Sequence, residues 1–322
     1  MALLPTIVIT PGDTTGIGPE ITAKLLCQPS RWHHRCQIVV IGSHDALQRA
    51  LYKEDPKNTQ FDRRASAQTG WQIIDIVGEA PGEISYRALE RAVLEIASRR
   101  AAALVTGPIS KLRLEQALMP LTSGHTEILA AQAKNHYSSE PCIPNMAFVY
   151  EQFRLLLLTR HVPLSKVSTT LNIPDVSEAL RQLCYWLTQK LNLQAPTVAI
   201  LGVNPHGGEI GGHEERNILL PAMATVEAEF PQVVFSGPLA ADAAFRGFNP
   251  KNPPWDAIVA PAHDQGLIPM KLLGGLQAVQ VTLGLPFIRT SVSHGTAEDI
   301  AGKGQADAES LFAALEVALA MI

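Results

Sequence analysis

The stretch at residues 6–27, TIVITPGDTTGIGPEITAKLLC, joins an apolar strand-like run to a glycine-rich loop and then to a helical pattern. Pro19 suits the first turn of that helix. Units of this kind recur along most of the chain, which predicts βαβ units and an α/β fold on a mostly parallel sheet. The loop can bring backbone N–H groups close to an anion or serve only as a tight turn, and the sequence leaves both interpretations open.

The periodicity predicts strands and helices in alternation. Strands are predicted at residues 6–10, 37–41, 72–77, 102–106, 198–203, 256–260, 278–283 and 288–292. Helices are predicted near residues 19–27, from 43–45 onward, and over 86–99, 110–118, 176–191, 214–229 and 311–322. In the centre of the chain, residues 145–150 and 153–159 flank a two-residue connection, which predicts an antiparallel hairpin.

A chain of 322 residues is too long for one ordinary hydrophobic core, so two lobes are expected. The predicted first lobe is discontinuous and comprises residues 1–125 and 285–322. The predicted second lobe comprises residues 126–284. No shift in composition marks these boundaries.

Charge and cysteine content narrow the class of protein. The formal net charge of −4 is mild and the basic residues do not cluster, so neither nucleic acid nor a membrane surface is expected as a partner. Four cysteines lie far apart without a CxxC pair, which favours reduced thiols in a cytoplasmic protein. The first ten residues lack the basic region of a signal peptide.

Three histidines, His161, His206 and His263, each follow an apolar strand-like run. Ligands of open α/β sheets bind beyond the carboxyl ends of the strands, so three imidazoles at one such edge predict an open divalent-metal site. Each histidine alone is better explained as a hydrogen-bonded loop residue, and only the shared position of all three favours the metal site. Imidazole ligands suit zinc and cobalt, whereas magnesium usually prefers oxygen.

Polar residues near the other strand ends are candidates for binding an anionic substrate. His125 and Thr126 stand at a predicted helix start, where they can bind an anion or cap the helix. Lys271 and Arg289 suit phosphate and carboxylate groups, or are ordinary surface cations. Lys111 is open to the same two interpretations.

Two carboxylates are candidates for orienting a histidine or handling a proton. Asp264 directly follows His263 and can bond to a ring nitrogen. Asp242 stands in an alanine-rich segment, where capping a helix is an equally good interpretation.

Eight motifs in this order resemble the 4-hydroxythreonine-4-phosphate dehydrogenases of pyridoxal phosphate biosynthesis. They are ITPGD at 9–13, GIGPE at 16–20, TGP at 106–108, GHTE at 124–127, NPH at 204–206, HDQG at 263–266, LGLPFIRT at 283–290 and HGT at 294–296. The resemblance runs through almost the whole chain. It implies the two-lobed α/β fold of isocitrate and isopropylmalate dehydrogenases, with helices on both faces of the sheets.

The resemblance also implies an activity and a site. The activity is oxidation of 4-phosphohydroxy-L-threonine by NAD or NADP to 2-amino-3-oxo-4-phosphooxybutanoate, which loses its carboxylate to give 3-amino-2-oxopropyl phosphate. One divalent ion per site (zinc, cobalt or magnesium) would be held by the three histidines, in a homodimer whose active sites lie at the subunit interface. The implied substrate-binding residues are His125, Thr126, Lys271, Gln280 and Arg289. The residues that contact the nicotinamide cofactor are not identified.

Four departures from the family pattern keep other functions open. Gln280 stands where the family usually has Asn, and Ser293 replaces an Asp. Thr14 and Thr15 replace Pro-Ala, and the loop after His206 looks two residues shorter than usual. The alternatives are a dehydrogenase of D-threonate or D-erythronate 4-phosphate, a metal-dependent hydrolase, and a catalytically silent metabolite-binding paralogue.

Overall fold

The computed structural model describes residues 4–54, 70–118, 124–137, 142–210 and 212–322. The strands are β1 Thr6–Thr10, β2 Gln37–Gly42, β3 Trp71–Asp75, β4 Ala103–Thr106, β5 Asn145–Tyr150, β6 Phe153–Leu157, β7 Thr197–Leu201, β8 Val234–Leu239, β9 Ala257–Ala260, β10 Val279–Leu283 and β11 Ile288–Val292. The helices are α1 Gly18–Leu26, α2 His44–Glu54, α3 Pro81–Ala97, α4 Lys111–Leu118, α5 His125–His136, α6 Val167–Thr170, α7 Ile173–Tyr185, α8 Leu220–Glu229, α9 Ala241–Ala244, α10 His263–Gly274 and α11 Glu309–Leu319. The predicted mixed α/β class is confirmed.

The chain divides into two compact units, with boundaries between Pro144 and Asn145 and between Gly284 and Leu285. The predicted first boundary lies between residues 125 and 126, whereas in the structure helix α5 belongs to the first unit. The reason is packing, because Leu129 of α5 shares a core cluster with Leu89 of α3.

The first unit contains a parallel sheet in the order β3-β2-β1-β4-β11. Side chains alternate between its two faces. On one face, Val8 and Leu104 pack against α3 and α5. On the other face, the Thr290 hydroxyl donates to the carbonyl oxygen of Ala314 in α11, at 2.8 Å. Helices therefore cover both faces.

The second unit contains a mixed sheet in the order β10-β5-β6-β9-β7-β8. The pairs β6/β9, β9/β7 and β7/β8 are parallel, while β5 runs antiparallel to both β6 and β10. The predicted hairpin is confirmed as β5 and β6. Strand β8 is absent from the predictions, because its Gly237-Pro238 pair interrupts the apolar pattern on a half-exposed edge strand.

Gly266 allows helix α10 to approach strand β6 closely. A Cβ atom at Gly266 would lie 2.7 Å from both methyl carbons of Leu155, which is too close for real atoms. The first turn of α10 is thereby held against the carboxyl half of β6, and this contact positions the residues that begin the helix.

Two loops cross closely at the carboxyl ends of β1 and β4. The N–H of Asp13 donates to the carbonyl oxygen of Pro108 at 2.9 Å, and the N–H of Gly107 donates to that of Thr10 at 2.7 Å. A Cβ atom at Gly107 would clash with the carbonyl oxygen of Pro11. Glycine is needed at position 107 because the backbones of the two loops approach each other closely. The loops after β1 and β4 can therefore lie side by side at the same edge of the sheet.

We expect Gly107→Ala to lower the free energy of unfolding by about 2 kcal/mol or more, because a rigid backbone must shift to admit the methyl group. Gly295→Ala is the matched control, since nothing lies within 4 Å of its Cβ position, and it should change stability by less than about 0.5 kcal/mol. Urea unfolding measures both variants. Equal effects would contradict the steric explanation.

Candidate active site

The strand order of the second unit brings three candidate metal ligands to one edge. Strands β6, β9 and β7 are adjacent and parallel, so their carboxyl ends lie at the same edge. His161 follows β6, His263 follows β9 and His206 follows β7. The edge is therefore shared by all three connections.

His161 and His263 lie close together. Their ring centroids are 5.7 Å apart, and the rings are tilted by 48°. Nδ1 of His263 lies 2.7 Å from Oδ1 of Asp264. An imidazole held at Nδ1 by a carboxylate keeps Nε2 for a metal, which is a common arrangement for histidine ligands. Asp264 itself is 82% exposed.

His206 lies exposed on the short turn Pro205–Gly208, in a left-handed backbone conformation with φ of 56° and ψ of 28°. The buried carboxylate of Glu215 supports this turn, since its Oε1 accepts from the N–H of Asn204 at 2.7 Å. Gly208 passes over the same carboxylate, where a Cβ atom would lie 2.8 Å from Oε2. Glu215 thus fixes the backbone that carries His206.

Gln265 connects the loop after β7 to the start of α10. Its Nε2 donates to the carbonyl oxygen of Gly202 at 3.0 Å, and its Oε1 accepts from the N–H of Ala262 at 3.0 Å. Neither Gln265 nor Glu215 is among the residues predicted from the sequence. For Gln265 a signal was available, because Gln three residues into a helix is typical of a capping side chain.

The three histidines do not form one metal-binding group within a single chain. Among the described residues, no cluster of three or more His, Cys, Asp or Glu side chains is close enough to hold an ion. Asp242 lies exposed in α9, and Lys271 lies exposed in α10. Gln280 is partly buried in β10, opposite Phe148 of β5.

The first unit contains a separate group of positively charged and polar side chains. Arg289, which is 1% exposed, donates from Nη2 to the Thr106 hydroxyl at 2.7 Å. Burial lowers the pKa of Arg289, while the charge of Glu127 raises it, and the guanidinium stays protonated at neutral pH. Thr126 is also buried and precedes Glu127 at the start of α5.

His125, the first residue of α5, has a buried Nε2 atom without a hydrogen-bond partner among the described residues. Burial, followed by the charges of Arg289 and Lys111, holds the pKa of His125 well below 6.5. Lys111 lies against Gly124, where a Cβ atom would be 3.2 Å from its Cε. A neutral imidazole, two cations and a helix N-terminus are suited to binding an anion such as phosphate.

Residues 34–318 match the family model described as pyridoxal phosphate biosynthetic protein PdxA. A 4-hydroxythreonine-4-phosphate dehydrogenase of Synechocystis sp. is 35% identical, over 99% of this chain and 96% of its own length. One of Azoarcus sp. is 36% identical, over 100% and 97%. The resemblance drawn from the motifs is confirmed.

Solved structures agree with these relatives. That of 4-hydroxythreonine-4-phosphate dehydrogenase from Klebsiella pneumoniae has a TM-score of 0.82 at 32% identity, with 100% of this chain and 99% of that chain covered. Isocitrate dehydrogenase from Methylococcus capsulatus has a TM-score of 0.51 at 15% identity, with 98% and 85% covered, which shows likeness of fold alone. The isocitrate-dehydrogenase-like architecture is also confirmed.

The neutral state of His125 predicts a pH dependence of folding. Its pKa is lower in the folded chain than in the unfolded chain, so the unfolded state binds the extra proton first as the pH falls. The stability that depends on neutral His125 is complete above about pH 6.5 and is lost as the pH falls toward the folded-state pKa. For one imidazole the loss between pH 7.5 and pH 5 is limited to about 2 kcal/mol.

We expect His125→Gln, which cannot take up a proton, to lose less stability than the wild-type protein over this pH interval. Urea unfolding at both pH values, without phosphate in the buffer, measures the difference. His34→Gln serves as the control, because His34 is exposed. Parallel pH profiles for wild type and His125→Gln would show that the ring is not held neutral.

Proposed function

Because the chain belongs to the PdxA family of pyridoxal phosphate biosynthetic proteins, we propose that it is a 4-hydroxythreonine-4-phosphate dehydrogenase. The reaction is oxidation of 4-phosphohydroxy-L-threonine to 2-amino-3-oxo-4-phosphooxybutanoate, which decarboxylates to 3-amino-2-oxopropyl phosphate. The observation that carries the proposal is the closeness of His161 and His263 at the edge where the strand before His206 also ends.

We propose His161, His206 and His263 as the ligands of one divalent ion. The donor set fits, because neutral imidazoles at a strand edge leave positions open for substrate oxygen. Zinc and cobalt suit these ligands better than magnesium. When bound, the ion would lower the pKa of the substrate hydroxyl and stabilise the charge left by loss of carbon dioxide.

The hydride acceptor is proposed to be NAD, with NADP as the alternative. When bound, its nicotinamide ring would take up the two electrons and the hydrogen that leave the substrate carbon. The chain lacks a GxGxxG loop, as expected for the isocitrate-dehydrogenase-like fold.

The substrate phosphate is proposed to bind His125, Thr126 and Arg289. Lys271 and Gln280 are proposed as further substrate-binding residues. Arg289 is buried, so its charge is little screened by water and attracts a phosphate strongly. Binding energy gained at the phosphate, remote from the reacting carbon, serves to orient the hydroxyl.

Proton handling is proposed for Asp264 and Asp242. Asp264 already contacts His263 at Nδ1, so it fixes the ring that would face the metal. Both carboxylates are exposed and can exchange protons with water. Asp242 has no further geometric support among the described residues.

A homodimer completes the proposal, with metal ligands drawn from both chains. Within the described part of one chain no three His, Cys, Asp or Glu side chains group together, which supports a site that a second copy completes. Helix α10, which begins at His263, also exposes Ile268 and Leu272 four residues apart, and Leu276 is exposed just beyond the end of the helix. Such an apolar stripe beside the site is typical of a surface covered by another subunit.

The last part of the proposal concerns the cellular location of the protein. Among the described residues, no helix is long and apolar enough to span a membrane. A cytoplasmic location is proposed from the wide spacing of the four cysteines.

A second candidate is a dehydrogenase of D-threonate or D-erythronate 4-phosphate. Gln280 favours it, because its amide lies one carbon further from the backbone than that of the usual Asn and is partly buried in β10. The longer side chain would suit a substrate of different shape at that position.

We expect the protein to reduce NAD with 4-phosphohydroxy-L-threonine, with kcat/KM at least about tenfold higher than with D-threonate or D-erythronate 4-phosphate. Absorbance of the reduced nicotinamide measures turnover. A chelator should abolish turnover and added zinc or cobalt should restore it. Phosphate release without an absorbance change would instead favour a hydrolase, and tight binding without turnover a silent paralogue.

The shared site predicts complementation between inactive variants. His206→Ala and His263→Ala homodimers should each be nearly inactive, because each lacks one ligand at both sites. A hybrid dimer with one His206→Ala chain and one His263→Ala chain can be purified through two different tags. If His206 and His263 of a site come from different chains, this hybrid has one intact site, so about half of the wild-type activity should return. A hybrid as inactive as its parents would refute this division of ligands.

A further inference from the structure

Arg289 is held by a directed chain of hydrogen bonds that the proposed reaction does not explain. Its Nη2 donates to Oγ1 of Thr106 at 2.7 Å, and Oγ1 of Thr106 donates to Oγ of Ser291 at 2.9 Å. Ser291 then donates to the backbone carbonyl oxygen of Thr106 at 3.0 Å. This series of hydrogen bonds therefore starts at the Arg289 guanidinium and ends at the backbone carbonyl oxygen of Thr106 in β4.

The donors and acceptors in this series of hydrogen bonds follow from the chemistry of the guanidinium group. A guanidinium can only donate, so the Thr106 oxygen must accept from it and direct its single proton elsewhere. The Ser291 hydroxyl is the nearest acceptor, because the carbonyl oxygen of Thr290 lies further away, at 3.5 Å. Thr106 and Ser291 are 0% and 3% exposed, so water does not compete for these bonds.

Strand pairing holds the three side chains in register. Strands β4 and β11 are parallel neighbours in which Ser291 pairs with Thr106 and Arg289 pairs with Leu104. Arg289, Ser291 and Thr106 consequently project from the same face of the sheet, the face that α5 covers. Thr290, between Arg289 and Ser291, points to the opposite face and bonds to α11.

We propose that Thr106 and Ser291 are positioning residues that orient the Arg289 guanidinium toward the substrate phosphate. The inference rests on the proposed function, because it takes Arg289 as a phosphate ligand. An arginine binds phosphate best when its planar fork is aligned with two oxygens, and a side chain fixed in advance loses less freedom on binding. The hydroxyl pair supplies that alignment from a rigid strand.

The test uses Thr106→Val, which keeps the shape of the side chain and removes the acceptor. Inorganic phosphate is titrated into the full-length protein in a calorimeter, and its dissociation constant should rise about tenfold. KM for 4-phosphohydroxy-L-threonine should rise by a similar factor while kcat changes little, because the contact is made in both the bound substrate and the transition state. Thr106→Ser restores the hydroxyl and should bind phosphate within about threefold of wild type.

Thr290→Val is the matched control, because it removes a buried hydroxyl from the same strand on the other face. It should lower stability without weakening phosphate binding. Ser291→Ala removes only the second bond of the chain and should weaken phosphate binding about threefold, which tests the proposal even if Thr106→Val fails to fold.

Wild-type affinity in folded Thr106→Val, or equal weakening by Thr290→Val, would overturn the proposal. Failure of Thr106→Ser to restore affinity would do the same. The calorimetric result does not depend on turnover, so a protein that binds phosphate as described but oxidises no substrate would refute the proposed reaction and leave the positioning role supported. A wild-type protein that does not bind phosphate would overturn both.

Discussion

Parallel pairing between neighbouring strands is the constraint on which the candidate site depends. Strands that run in the same direction end at the same edge, so the chain segments that leave β6, β9 and β7 begin close together although they are far apart in sequence. The sheet of the first unit applies the same rule to β1, β4 and β11. Polar side chains are thereby brought together at the strand ends, although they are not close to one another in the sequence.

The two units contribute different chemistry. The second presents three imidazoles that are exposed or partly exposed. The first presents a buried guanidinium beside an imidazole kept neutral by burial and by neighbouring cations. In our proposal the imidazoles are metal ligands and the buried guanidinium binds phosphate.

Sequence patterns predicted most of the fold because apolar periodicity records burial directly. They failed where burial is incomplete, as in the edge strand β8, and where packing rather than local pattern decides, as for α5, which joins the first unit through Leu129. The placement of the three histidines at one sheet edge was predictable from their position after apolar runs. The bonds of Glu215 to Asn204, of Gln265 to Gly202 and of Thr106 to Arg289 were not predictable, because tertiary folding alone brings each pair of atoms together.

The left-handed backbone at His206 couples the placement of its imidazole to local stability. A side chain with a Cβ atom costs roughly 1 kcal/mol in that region of φ and ψ, and glycine or asparagine would occupy it more comfortably. The surrounding structure must offset this cost, and the buried carboxylate of Glu215 does so by holding the N–H of Asn204. A single carboxylate therefore governs both how firmly this turn is folded and where its ring is presented.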